Sequence, residues 1–195
     1  NSPKEADYLP YMAPDGENFR GVNAVRILDK GKEYTLDKII ADGYDSKLSI
    51  FEVLIPALIS SFEKNIKPEN PIYSELIEPI TELKKWDFYA NEKSVATTLA
   101  NEWGYKINPI IQKVYIDEGE MDQVENTIQF AKTATPEQLI PQLQTVVNEL
   151  KVKFGSWQIP WGELNRFQRT SGEIDFTFND NLESLPIGFG SALWG

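Results

Sequence analysis

Four groups in this sequence could do chemistry: the side-chain amide of Asn1, the arginines Arg20 and Arg26, an acidic run from Asp117 to Asp122, and many scattered carboxylates. Histidine and cysteine are both absent. Within these residues that excludes a Ser-His-Asp triad, an imidazole base, a thiolate nucleophile, a disulfide, and His or Cys ligation of zinc. The acidic run reads as a solvated loop rather than a calcium loop. An EF-hand needs a Glu at its twelfth position, and counting from Asp117 that position is Ile128. Paired carboxylates could hydrolyse a glycoside, but with 30 acids in the chain sequence alone selects no pair.

Two other patterns resolve into packing. Gly188 and Gly190 make a Gly-x-Gly, but Leu193 occupies the place of the third glycine in a dinucleotide fingerprint. A turn that lets backbones approach closely is the simpler reading. Trp157, Trp161 and Phe167 could form an aromatic ligand platform; beside Pro160 they read instead as core at the edge of a domain.

The formal charge is −11 over 195 residues. Such a surface repels phosphate backbones and anionic bilayers, so neither nucleic acid nor membrane is an expected partner. The longest apolar run, Val53–Ile59, is far short of the roughly 20 residues that span a bilayer. The hydrophobic content, 41%, is that of a folded globule. The sequence opens on Asn1–Ser2–Pro3 without initiator Met or leader, which reads as a processed, truncated or first ordered N-terminus.

The elements that would position these groups are mostly helical. Residues 1–20 read as an extended loop, and Gly21–Leu28 fits either a short helix or a strand. Thr35 caps a helix to about Asp42, ended by Gly43. Asp45 or Ser46 starts a stronger one, with Leu48, Phe51, Ile55, Leu58 and Phe62 on one face and a kink expected at Pro56. Lys67–Pro71 is a loop, Ile72–Trp86 a helix interrupted by Pro79, and Val95–Val114 a helix that could bend near Gly104 or Pro109. A shorter helix covers Met121–Lys132. Thr135, Pro136 and Gln138 form a capping-box start for a helix that Gly155 closes. Ile174, Phe176 and Phe178 alternate like a strand. The apolar, glycine-rich tail at 187–195 is an unusual end for a self-contained domain, and points to a piece of something larger.

Several stretches, in order, resemble penicillin-acylase-type N-terminal-nucleophile amidohydrolases. Gly16–Glu17–Asn18–Phe19–Arg20–Gly21, running on to Leu28, resembles the lead into that family's helical region, and Tyr44–Asp45–Ser46 its next helix. Leu83–Lys84–Lys85–Trp86–Asp87 followed by Ser94–Leu99 and Trp103 resembles its "L-x-x-W-D…S-(V/A)-A-x-x-L…W". Trp161–Gly162–Glu163–Leu164–Asn165–Arg166, with Leu185–Phe189 after it, resembles its "W-G-(E/D)-x-(H/N)-R"; Asn165 stands where some relatives carry His.

The resemblance implies a mainly α fold, the helical middle region of an αββα enzyme's large subunit. Residues 1–30 would be a loop arm beside the active site, 31–155 a helical domain, and 156–195 an irregular or β arm returning to the parent core. It implies hydrolysis of an N-acyl amide (a β-lactam side chain, an acyl-homoserine lactone or a lipopeptide) by a nucleophile upstream of these residues. That nucleophile's own α-amino group is the base, so no histidine is needed. Asn1, or a residue just before it, would serve the oxyanion hole, and Arg20, in preference to Arg26, would support the site. No cofactor is required, and the family allows a structural calcium whose ligands are not recognisable here. Expected partners are the rest of the same precursor and an N-acyl small molecule, in the periplasm or outside the cell. By itself the chain would be inactive. The rival readings are a free-standing helical interaction domain without chemistry, and a carboxylate-based hydrolase.

Overall fold

The computed structural model describes residues 9, 16–30, 33–118, 122–168, 178–191 and 193–195, with backbone alone at 114–118. Its elements are α1 (Phe19–Asp29), α2 (Leu36–Gly43), α3 (Phe51–Asn65), α4 (Pro71–Lys85), α5 (Val95–Glu118), α6 (Gln123–Thr133), α7 (Pro136–Phe154), α8 (Trp161–Leu164), β1 (Arg166–Phe167) and β2 (Leu185–Pro186). The chain is thus mainly α. The two short strands pair antiparallel, Arg166 opposite Pro186 and Phe167 opposite Leu185.

The body is built from α3, α4, α5, α6 and α7, with α5 against α7, α4 and α6, and α3 against α7, α6 and α4. Each gives an apolar stripe to one core: Leu54, Leu58 and Phe62 from α3, Leu76, Ile80 and Leu83 from α4, Leu99, Trp103 and Ile107 from α5. Leu139, Leu143, Val146 and Leu150 of α7 close it. Trp103 is fully buried, and its indole N–H donates to the Leu139 carbonyl at 3.1 Å, so this side chain leaves no polar atom unpaired. Among the described residues no helix is long and apolar enough to cross a membrane.

The caps follow local chemistry. Asn18 accepts from the Gly21 N–H (2.8 Å), Thr35 from Lys38 (3.2 Å) and Asn70 from Ile72 (3.0 Å). At α7 the Gln138 side chain accepts from the Thr135 N–H at 2.9 Å, and Gly155 ends the helix at φ +78°, where only glycine is unstrained. The segment left open at 21–28 is helix α1.

Two expectations change. The strong helix starts at Phe51, not at Asp45 or Ser46. Residues 46–48 pair instead with 88–90: Leu48 N–H donates to Phe88 O (2.9 Å) and Ala90 N–H to Ser46 O (3.0 Å). A non-local bridge, which local periodicity cannot register, takes the first turn of the expected helix. Pro79 does not interrupt α4, which runs unbroken to Lys85. The roughly 3 kcal/mol cost of an interior proline is outweighed by burial of Leu76, Ile80 and Leu83 on the same helix, each contributing about 1.5–3 kcal/mol. The strand expected at 174–178 lies outside the described residues except for Phe178, which is exposed.

Helix α1 and the segment around Trp194 both pack on this body. Phe19 is buried from the front, and Trp194 from the back. The Trp194 ring lies 5.4 Å from Phe51 and 5.2 Å from Tyr105, centroid to centroid, while its carbonyl accepts from Ile50 N–H at 3.0 Å.

Candidate functional site

A cavity of about 370 Å³ opens between α1, the turn before α3 and the tail. Arg20, Asn23 and Ile27 form one wall, Asp45, Ser46 and Lys47 the floor, and Phe189, Gly190 and Ser191 the opposite wall.

Asn23, Asp45 and Lys47 of the lining belong to a polar network that extends to Arg26 and Glu52, which do not themselves line the cavity. Glu52, at the start of α3, accepts from Arg26 at 2.8 Å and from Lys47 at 2.6 Å. Arg26 also donates to Asn23 Oδ1 and, at 3.4 Å, to Ser49 Oγ. Asn23 Nδ2 in turn donates to Asp45 Oδ1 (3.0 Å), which also accepts the Lys47 N–H (3.0 Å). Burial pushes the Glu52 carboxyl up, but hydrogen bonds and charge from Lys47 and Arg26 outweigh it and hold the group below its ordinary value. Glu52 is therefore an anionic tether for α1, unsuited to act as a proton donor at neutral pH.

This separates the two arginines. Arg26 is committed to holding α1 against α3. Arg20 is exposed on the cavity wall and, among the described residues, makes no hydrogen bond or ion pair. Asn1 lies outside the described residues. The structure thus puts Arg20 beside Asn23 and the tail and leaves it free to meet an external oxygen or carboxylate.

The opposite wall is set by the Trp161–Arg166 motif. Trp161 is buried; its backbone N–H donates to Ser94 O (3.1 Å) and its indole N–H to Phe189 O (3.0 Å). Gly162 N–H donates to Glu92 O (2.8 Å), and a Cβ on Gly162 would stand 2.8 Å from the Pro186 side chain, so the motif needs glycine there. Asn165 Nδ2 donates to both Ile187 O (3.0 Å) and Phe189 O (2.7 Å), and Arg166 binds the Ser184 carbonyl at 2.7 Å. The motif is a clasp for the 184–189 segment. Trp157 and Trp161 are core, as packing predicted, while Phe167 is exposed. Gly188 and Gly190 allow close approach: Cβ atoms there would come within 3.3 Å of Glu92 N and 3.0 Å of Leu48 Cδ2. Phe189 and Ser191 were not singled out as site residues from sequence, because nothing local ties them to Arg20.

A larger cavity, about 680 Å³, lies between α5, α7 and the β1–β2 hairpin. Desolvation raises the pKa of Glu102 on its wall, helped by Glu149 and opposed by Lys153 and Lys106. Asp122, from the acidic run, caps α6 by accepting from Glu125 N–H at 2.7 Å. Among the described residues no group of three or more acids is placed to hold a metal ion.

Residues 1–190 match the family model described as Penicillin amidase, and the chain belongs to that family. No curated protein matches the sequence.

Proposed function

We propose that these residues form the helical support and one active-site wall of an acylase that hydrolyses the amide bond of N-acyl substrates. The observation that carries this reading is Arg20, unpaired among the described residues at the cavity between α1 and the tail, in a chain of the Penicillin amidase family. In the proposed reaction a nucleophilic hydroxyl on polypeptide outside these residues attacks the substrate carbonyl. Its α-amino group takes the proton, an oxyanion forms, and the amine leaves with that proton. Water then releases the acid. Asn1 or its neighbour stabilises the oxyanion, and Arg20 supports the site. Without the nucleophile there is no intermediate to stabilise, so the 195 residues alone are inactive in this reading. The reaction needs no cofactor, and a calcium ion in the parent would be structural. In this reading the enzyme acts in the periplasm or outside the cell.

The apolar face of α1 and α2 favours a second reading, an interaction module. No residue of α2 is buried; Leu36, Ile39 and Ile40 are exposed, and Ile39 lines a groove of about 470 Å³ with Ile27, Leu28 and Tyr34. In the acylase reading the rest of the precursor covers that face.

Intact mass and N-terminal sequencing of the full-length gene product, exported in a bacterial host, test the choice. Two chains, the larger starting at Ser, Thr or Cys, support self-processing. A single unprocessed chain without amidase activity refutes the acylase reading and leaves the interaction module.

A further inference from the structure

We propose that Asn165 is a positioning residue for amide hydrolysis: its side-chain amide fixes the 187–191 segment as the wall that faces Arg20. This rests on the amide-hydrolase reading above. Asn165 does not itself line the cavity; Phe189, Gly190 and Ser191 do, together with Arg20. Its influence therefore runs through the backbone.

The β1–β2 pairing shows why a side chain is needed here. Arg166 lies opposite Pro186 and Phe167 opposite Leu185, so the next pair in register is Asn165 with Ile187. A hydrogen-bonded antiparallel pair exchanges two backbone bonds. One is made: Ile187 N–H donates to Asn165 O at 2.8 Å. The other is not, because the Asn165 N–H closes helix α8 by donating to Trp161 O at 2.8 Å. Asn165 Nδ2 takes its place, donating to Ile187 O at 3.0 Å and again to Phe189 O at 2.7 Å. A side-chain amide has two N–H hydrogens, one for each carbonyl; an ionised Asp has none, and a neutral His has one. The ladder is thereby carried past its last backbone pair to the edge of the cavity.

Trp161 Nε1 meets the same Phe189 oxygen at 3.0 Å. Gly188 and Gly190 are pressed against the Asn91–Glu92 backbone and the Leu48 side chain. Further on, Ser191 Oγ accepts from Leu193 N–H at 3.2 Å and Ser191 O from Trp194 N–H at 3.0 Å, which ties the wall to the seated indole. The wall is thus held on both sides, and Asn165 supplies the hold on the side before Phe189. Misplacing a site element by about 1 Å can cost about a hundredfold in rate, so losing both donors registers in turnover more than in binding.

The test uses the complete processed enzyme and N-acyl p-nitroanilides (acetyl, hexanoyl and 3-phenylpropanoyl), with thermal melts and backbone hydrogen–deuterium exchange on the same samples. Asn165→Asp keeps the side chain's size and removes both donors; it is expected to lower kcat at least about tenfold while KM stays within about threefold. Asn165→His, which keeps one donor, is expected to recover part of the lost kcat. Gln168→Ala is the structural control. It removes the bonds from Gln168 Nε2 to Asn179 O (2.8 Å) and Leu182 O (3.3 Å), loosening the same arm away from the wall. Its kcat is expected to stay within about twofold of wild type. An Asn165→Asp kcat within about twofold of wild type overturns the proposal, as does an equal loss in Gln168→Ala. Should Asn165→Asp fail to fold, Asn165→Ala is read by the same criterion. If the wild type hydrolyses none of the anilides, the amide-hydrolase reading fails separately. Exchange then decides: faster exchange at 187–191 in Asn165→Asp, with α3–α7 unchanged, keeps Asn165 as the holder of the wall, and unchanged exchange at 187–191 overturns it.

Discussion

Replacing Trp194 with alanine tests whether the tail is a structural part of this body. The side chain is 1% exposed and wedged between Phe51 and Tyr105. A Cβ on Gly104 would stand 3.2 Å from its Cη2, so there is no slack in the packing. About 200 Å² of aromatic surface at about 25 cal/mol per Å² gives about 5 kcal/mol gross. Two corrections lower this. The denatured chain already buries part of that area. The buried indole N–H has no partner among the described residues, and removing it relieves a desolvation cost of about 1–3 kcal/mol. The expected net loss is about 3 kcal/mol, a large share of a total near 5–15 kcal/mol. For a chain of this size that lowers Tm by about 6–12 °C. Thermal unfolding followed by far-UV circular dichroism reads it directly. Trp194→Phe should lose under about 1 kcal/mol, since it keeps a ring and drops the unpaired donor. A loss under about 1 kcal/mol for Trp194→Ala would show that the tail does not seat as described and refute the reasoning.

Arg20→Ala is expected to leave Tm unchanged within about 0.5 kcal/mol while lowering amide hydrolysis by the complete enzyme about a hundredfold. Arg26→Ala should do the reverse in stability, costing about 1–3 kcal/mol by leaving Glu52 and Asn23 short of a partner; paired melts and rate assays on the two variants decide, and exchanged outcomes sink the assignment. Glu102→Gln should raise Tm at pH 7 and make little difference near pH 4. The folded-state pKa of Glu102 is raised by desolvation, so folding favours the protonated acid. Its penalty is absent below the ordinary carboxylate pKa and develops as pH rises through the raised one. A gain that persists at pH 4 would contradict this cause.

The helical body was largely legible because its signals are local. Thr135, Pro136, Gln138 and Gly155 bracket α7 by cap chemistry that needs no neighbour. Thr35 and Gly43 bracket α2 in the same way. What sequence missed depends on distant partners. Leu48 has helical spacing with Phe51 and Ile55, yet its N–H goes to Phe88 O. Phe88 itself takes φ +67°, an unfavourable conformation for a bulky residue, at the point where the two segments meet. Resemblance singled out Arg20 over Arg26 only as an expectation; that Arg26 is held by Glu52 and Asn23 while Arg20 lines the cavity is visible only in the hydrogen bonds. The part played by Asn165 was out of reach, since the carbonyl it holds follows a stretch of chain with no regular period.

The cavity joins α1 to the tail, so its walls come from opposite ends of the sequence. Contacts of such high contact order form late, after helices whose contacts are mainly nearer in sequence. During synthesis the α3–α7 body can therefore consolidate around Trp103 before Phe189 and Trp194 have emerged. Arg20 acquires its facing wall only when residues 189–191 dock, so a nascent chain still lacking them would carry a folded body and no assembled cavity. The order of assembly acts as a checkpoint: a cavity with both walls reports that the chain has folded through residues 189–191.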